Sequence, residues 1–455
     1  MRIAFVSGNR EKLPDAVVPL GLLYVMASTP DHHEKHLVDL CFESDPQQAL
    51  KERLTTLAPD LVALGMRNIQ NNDYSGINDN VAYYAGLVAA VREVSRAPVV
   101  LGGSGFSVMP AELMRRLGAD YGISGEGEEA FPRLLAALDQ PQPDMAGLTA
   151  IGNLHRAEPG RVVSNSAGKG FLDMNSLPVP DRRLADPRYY ERYATDAIQT
   201  KRGCPLLCDY CTYPVIEGRV GRARRPAAVV DEMFLALQQQ PATQHFFVVD
   251  SVFNLPRTHA KNVCRELIAR NWQVPWTCYA NPLGFDQEMA DLARQAGCAG
   301  MEIGSDSGVD HVLKRLRKGF TTEDIRRIHR LCSHAGLPDC HTFILGTEGE
   351  TMDDVRRTLD FAMELDPFSA IIMMWVDDFE ALDPALRRER MKLRDDITEL
   401  LWSRKDHYPH WSIPPLGINF DERLFDILRR QGLHGPLWQH VRKGGQRYAT
   451  GAALP

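Results

Sequence analysis

The chain has 455 residues, 44% of them hydrophobic and 24% charged, a composition typical of a folded globular protein that excludes global disorder. Its 52 basic and 59 acidic side chains leave a net charge of −7, which argues against a nucleic-acid binder. No run approaches the length of a membrane span, and the apolar start at residues 3–6 is too short for a signal peptide, so a cytoplasmic chain with reduced thiols is expected.

Through the first third, short apolar runs alternate with helical spacing. Strands are predicted at residues 3–7, 61–66, 99–102 and 120–124, and helices at 20–27, 81–94 and 111–117. This pattern predicts a doubly wound parallel sheet over residues 1–140, with ligands bound beyond the carboxyl ends of the strands. Glycine-rich turns stand at two such ends, Gly102-Gly103-Ser104-Gly105 and Gly125-Glu126-Gly127-Glu128. Residues 141–195 carry Pro141, Pro143, Pro159, Pro178, Pro180 and Pro187 without a sustained period and read as a linker. A second alternation follows over residues 196–380, with strands at 197–201, 246–249, 276–279, 300–304, 341–345 and 370–375. Six repeats are too few for an eight-stranded barrel and predict a partial one. Residues 381–455 are charged, then aromatic (Trp402, Tyr408, Trp411, Trp438), and form a separate C-terminal region.

Six of the nine cysteines are scattered and read as small buried hydrophobes. The other three are grouped as Cys204-Pro-Leu-Leu-Cys208-Asp-Tyr-Cys211. Three thiolates cannot close a tetrahedral zinc site, and no histidine stands nearby. On an iron–sulfur cubane they would leave one iron open.

This loop, following the first strand of a partial barrel and with an aromatic before its last cysteine, resembles the radical S-adenosylmethionine (SAM) superfamily. Further matches follow in order: Phe247-Val-Val-Asp250-Ser251, Glu302-Ile-Gly-Ser305-Asp306-Ser307-Gly308, and Phe343-Ile-Leu-Gly346. The resemblance implies a [4Fe-4S] cluster on Cys204, Cys208 and Cys211. It also implies SAM contacts from Tyr210, Asp250, Ser251, Glu302, Ser305 and Gly346. Upstream, the two glycine turns with Asp120 resemble the cobalamin-binding-type domain that precedes many such barrels. The Asp-x-His-x-x-Gly signature of cobalt ligation is absent, so cobalamin stays open at this point. The fold class expected is therefore α/β: a Rossmann-like cobalamin-binding-type domain, a partial (β/α)6 radical SAM barrel and a small C-terminal region.

Similarity to this superfamily implies reductive cleavage of SAM and hydrogen abstraction from a small-molecule substrate. The electron would come from a flavodoxin- or ferredoxin-type protein or a chemical reductant. Two reactions compete. The first, favoured by the acidic run Asp377-Asp378-Phe379-Glu380 beyond the sixth strand, is diol dehydration of a cationic aminosugar in natural-product biosynthesis, with a separate reductase acting on the product. Asp377, Asp378 and Glu380 would then be the catalytic and ammonium-binding acids. The alternative is cobalamin-dependent methylation of an sp3 carbon. The basic run Arg219, Arg222, Arg224 and Arg225 reads as a solvated or interdomain salt-bridging face rather than a phosphate site, with no nucleic acid and no membrane partner.

Overall fold

The protein is described by a computed structural model that covers residues 1–73, 76–168, 171–379, 381–408 and 410–441. Five parallel strands begin the first sheet: β1 (Arg2–Ser7), β2 (Glu34–Asp39), β3 (Leu61–Gly65), β4 (Val99–Gly102) and β5 (Tyr121–Ile123). Their order β2-β1-β3-β4-β5 reverses direction at β1/β3, the switch point where doubly wound sheets bind ligands. The central strands are apolar throughout because both faces are covered. Ile3 and Phe5 of β1 enter one core with Leu61, Ala63 and Val100, while Ala4 and Val6 enter the other with Val62, Leu64 and Leu101. The edge strand β2 carries Glu34, Lys35 and His36 on a half-exposed ribbon, and its mixed composition hides it from sequence periodicity.

The proline-rich segment 141–195 is more structured than a linker. It contributes a short helix, Met145–Ala150, and two antiparallel strands, β6 (Leu154–Glu158) and β7 (Arg161–Ser164), which extend the first sheet beyond β5. The strands are too short to show a period, and Gly160 at φ +77° turns the hairpin.

The second sheet runs in chain order: β8 (Thr195–Ile198), β9 (His245–Val248), β10 (Trp276–Ala280), β11 (Cys298–Asp306), β12 (Asp339–Leu345), β13 (Ser369–Met374) and β14 (Trp411–Ser412), all parallel. The six predicted strands are present, and a two-residue seventh from the aromatic region joins their edge. Thr321/Asp324 and Thr351/Asp354 form capping boxes that start the helices Thr322–His334 and Met352–Leu365. Outward residues such as Phe246, Trp276, Met301 and Ile303 pack on the helices in a continuous core. The C-terminal helix Glu422–Arg430 ties back to the first domain through Arg429 and Asp15. Among the described residues no helix is long and apolar enough to cross a membrane.

Buried charges join the two sheets. Glu232 accepts from Arg182 at 2.7 Å, from Arg224 at 2.6 Å and from the Tyr24 hydroxyl at 3.0 Å. Arg182 also lies 3.5 Å from Asp196, and all four charged side chains are at most 4% exposed. Nearby, Arg202 reaches Glu126 at 3.0 Å and pairs with Glu128, while Arg222 reaches Glu126 at 2.8 Å. Two members of the basic run, Arg222 and Arg224, thus bridge the domains.

Removing one member of such a network leaves an uncompensated buried charge. Glu232→Ala should cost about 3–5 kcal/mol, seen as a fall in unfolding temperature and urea midpoint. Glu112→Ala, whose pair with Arg115 lies on the surface, should cost under about 1 kcal/mol. Equal losses would refute the structural role assigned to Glu232.

Candidate functional site

Gly203 opens the cysteine loop at φ +86°, where an added Cβ would stand 2.1 Å from the Val220 carbonyl oxygen. Only glycine fits there. Backbone bonds shape the rest: Cys204 N–H to Gly218 at 3.1 Å, Cys211 N–H to Cys208 at 3.3 Å, and Asp209 N–H to Leu316 at 3.1 Å. Asp250, fully buried at the end of β9, accepts from the Thr200 amide at 2.7 Å and hydroxyl at 2.5 Å and from the Lys201 amide at 3.2 Å. It anchors the strand that delivers the loop. The Ser251 hydroxyl accepts from Lys201 Nζ at 3.4 Å beside it.

Burial raises the Cys208 and Cys211 thiols; Cys208 also feels the charge of Cys204, and Cys211 that of Cys208 and Cys204. The three sulfurs do not form a single-ion site. Among the described residues the donor sets compact enough for one ion are His32–His33–Asp139 and His329–Asp339–His341. Three soft donors in one short loop, too far apart to share one ion, fit a [4Fe-4S] cluster with one iron open.

Beside the loop, the Tyr210 hydroxyl donates to Asp306 at 2.6 Å and accepts from Lys318 at 3.2 Å, while Lys318 pairs with Asp306 at 2.6 Å. Burial opposes the Lys318 charge, but Asp306 and the cysteines hold its pKa above the usual value. Asp306 reaches this position because β11 bulges between Gly304 and Asp306. The bulge also turns Ser305 behind the sheet, where it bonds His341 at 2.7 Å. Sequence reading passed over Lys318, which carries no local motif, and Asp306, which lies inside a quoted motif. Gly346, at φ +80°, presents its carbonyl to Arg390.

The acidic run is engaged locally. Asp377 accepts from Arg390 at 3.0 Å, and the Asp378 carboxylate accepts from the Ala381 amide at 3.3 Å. Asp383 caps the helix Pro384–Arg404. Glu380 lies outside the described residues. Cys278 and His341 face the helix layer rather than the lumen, His341 bonding Asp339 at 3.0 Å. His245 bonds Thr277 at 2.8 Å, and burial lowers its pKa to about 3.

The inner face of the barrel shows a second alternation. Phe247, Tyr279, Glu302, Thr342, Ile344, Ile371 and Met373 are partly exposed between fully buried outward neighbours. Tyr279 is 38% exposed although it sits within the barrel, so it borders an open lumen. Its ring lies 5.0 Å from Phe247 at 78°. Trp375, next in the same series, stands edge-on to Tyr210 at 6.0 Å and carries the apolar wall up to the cysteine loop.

The carboxyl edge of the first sheet faces this lumen. Gly103, at φ +98°, would put a Cβ 2.5 Å from the Met66 carbonyl oxygen, and Ser104 Oγ donates to the Arg67 carbonyl at 2.7 Å. The turn after β3 is thereby pinned against the turn after β4. Gly125 lies close to the Ile216 carbonyl in the helix Tyr213–Glu217 that follows Cys211. The Arg67 guanidinium acts on Tyr213 and Tyr279 across the gap. Glycine turns at the carboxyl edge of this sheet, after β4 and β5 and beside the turn after β3, fit a corrinoid. No histidine occurs at residues 8–19, 66–69, 103–109 or 124–128, so these turns offer cobalt no imidazole.

Residues 198–362 match the Radical SAM superfamily and residues 7–135 match the B12 binding domain. The tryptophan 2-C-methyltransferase of Streptomyces laurentii is 29% identical over 425 residues, covering 80% of this chain and 70% of that protein. The structure of the radical SAM methyltransferase TsrM from Kitasatospora setae, with cobalamin and a [4Fe-4S] cluster bound, superposes with a TM-score of 0.72 at 27% identity. It covers 82% of this chain and 72% of its own. The cobalamin-dependent SAM radical enzyme OxsB shares the fold at 18% identity, with a TM-score of 0.67 over 95% of this chain and 62% of its own.

Two glycines separate the cofactor sites experimentally. Gly203→Ala should lower iron and sulfide per chain to the level of Cys211→Ala although all three thiols remain, whereas Cys264→Ala should keep full iron. Gly103→Ala should reduce cobalamin uptake with iron unchanged. Normal iron in Gly203→Ala, measured after anaerobic reconstitution, would refute the loop geometry.

Proposed function

From a chain that joins a B12 binding domain to a radical SAM domain, and so uses a [4Fe-4S] cluster, SAM and cobalamin, we propose methyl transfer to a carbon of a small-molecule substrate. The observation that carries this reading is the orientation of the two sheets, whose carboxyl edges meet across the barrel mouth through Gly125 and Ile216. A methyl carrier at one edge then lies within reach of a substrate in the lumen. The similarity to a tryptophan methyltransferase supports the same chemistry. Diol dehydration loses its support, because Asp377, Asp378 and Asp383 are engaged by Arg390, a turn and a helix cap.

When bound, the cofactors supply the one-electron and methyl-transfer chemistry. The protein contributes position and exclusion of water. Asp250 and Gly203 hold the cysteine loop in place, and the turns at Met66 and Gly103 hold the opposite wall. Lys318 places a buried positive charge beside Cys208 and Cys211, a favourable setting for an anionic cluster. Phe247, Tyr279 and Trp375 line the lumen with aromatic surface, which limits the water beside a reactive centre. The electron donor in this reading is a flavodoxin- or ferredoxin-type protein or a chemical reductant.

Protein produced with cobalamin supplied should purify with near-stoichiometric corrinoid, visible in its absorption spectrum. With SAM labelled as CD3 it should yield S-adenosylhomocysteine and a product that has gained the CD3 group. Loss of water from the product without label would return the assignment to dehydration.

A further inference from the structure

The strands of the barrel carry four carboxylates, and three have basic partners. Asp196 faces Arg182 at 3.5 Å, Asp306 pairs with Lys318 at 2.6 Å, and Asp339 lies 2.7 Å from His329 and 3.0 Å from His341. The fourth, Glu302, has none. It projects from the inner face of β11 at the level of Tyr279, its register partner on β10. Its Oε1 accepts from the Trp438 indole N–H at 2.8 Å, and Oε2 has no hydrogen-bond partner among the described residues.

The arrangement that holds Glu302 is specific. Trp438 enters under the sheet from the C-terminal segment and occupies the space beside Gly300, where a Cβ would meet its ring at 2.4 Å. The indole thus closes the floor of the lumen and fixes one carboxylate oxygen, leaving the other directed at whatever the lumen contains. The surrounding walls are Phe247, Tyr279, Ile344, Ile371 and Met373, with Trp375 above. A carboxylate in such surroundings is costly unless a donor reaches it. Burial alone raises the Glu302 pKa to about 7 against the single bond from Trp438.

We infer that Glu302 is the specificity-determining residue of the substrate site, accepting an N–H from a flat apolar ring compound whose faces lie against the aromatic and aliphatic walls. The inference rests on the lumen being the substrate site of the proposed methyl transfer, and it replaces the SAM contact that the family resemblance implies for Glu302. The walls account for the ring, since beyond the Tyr279 and Thr342 hydroxyls they are aromatic and aliphatic surface. The carboxylate accounts for the N–H, since it is the strand carboxylate without a basic partner among the described residues, and an ionised oxygen is a stronger acceptor than the neighbouring hydroxyls. A polyhydroxylated aminosugar would leave several polar groups unpaired against the same walls and is disfavoured for that reason. Trp438 is a positioning residue in this scheme.

The test is equilibrium binding to the cluster- and cobalamin-loaded protein with SAM present, using indole and L-tryptophan against N-methylindole and 1-methyl-L-tryptophan. The N–H compounds should bind roughly tenfold more tightly than their N-methylated analogues. Glu302→Gln, which turns the free acceptor into a donor, should bring that ratio close to one, and Glu302→Asp should restore part of it. Iron, cobalamin and unfolding temperature measured on each variant separate lost recognition from lost folding. Equal binding of the paired probes to the unaltered protein, an unchanged ratio in Glu302→Gln, or no binding of any probe would overturn the inference. CD3 transfer to some other acceptor would then leave the methyl-transfer reading standing. Conversely, N–H-selective binding in a protein that never transfers CD3 would support Glu302 while removing that reading.

Discussion

Two sheets meeting edge to edge need a fixed angle, and here buried charge supplies it. Glu232, on the helix Pro226–Gln239, collects Arg182, Arg224 and the hydroxyl of Tyr24 from the first domain, all out of contact with water. Burying ions costs several kcal/mol each, and their mutual attraction offsets this only in one geometry. Apolar surfaces could hold the domains together more cheaply, but they would tolerate sliding. The charge network does not, because a small displacement leaves a buried ion without its partner.

That constraint carries into the cysteine loop. Arg202 and Arg222 flank the loop in sequence and both bind Glu126 in the glycine turn of the first sheet. The same turn therefore touches the corrinoid edge on one side and the cysteine loop on the other. Lys201 and Thr200, held by Asp250, continue the rigid connection into β9. Arg202, Arg222 and Glu126 thereby hold the turn of the first sheet against the cysteine loop.

The lumen has its own constraint from below. Trp438 and the helix Glu422–Arg430 close the floor, and Arg429 binds Asp15 in the loop after β1. The C-terminal region thus meets both domains, and its aromatic composition reflects a plug rather than a separate folding unit. One carboxylate is left facing a mainly aromatic and aliphatic interior, and the unpaired Oε2 of Glu302 makes the cavity selective rather than merely hydrophobic.

Much of this was legible in the chain itself. Central parallel strands such as β1, β3 and β4 are continuous apolar runs because both faces are buried, so periodicity found them. The cysteine triad needs three residues within one short loop, and local spacing suffices to recognise it. The edge strand β2, the hairpin of β6 and β7, and the two-residue β14 were hidden, because their pairing partners and not their own composition make them strands. Side-chain commitments were equally out of reach. Asp377 and Glu302 are both acids near a barrel mouth in sequence terms; only folding gives Asp377 an arginine and leaves Glu302 without one. Asp306 and Lys318 are twelve positions apart and meet through a β-bulge that no local pattern announces. Local chemistry pointed to the iron–sulfur cluster and left cobalamin open. Contacts between residues far apart in sequence decided which acids remain free to meet a substrate, because a buried charge acts through the partner that folding brings to it.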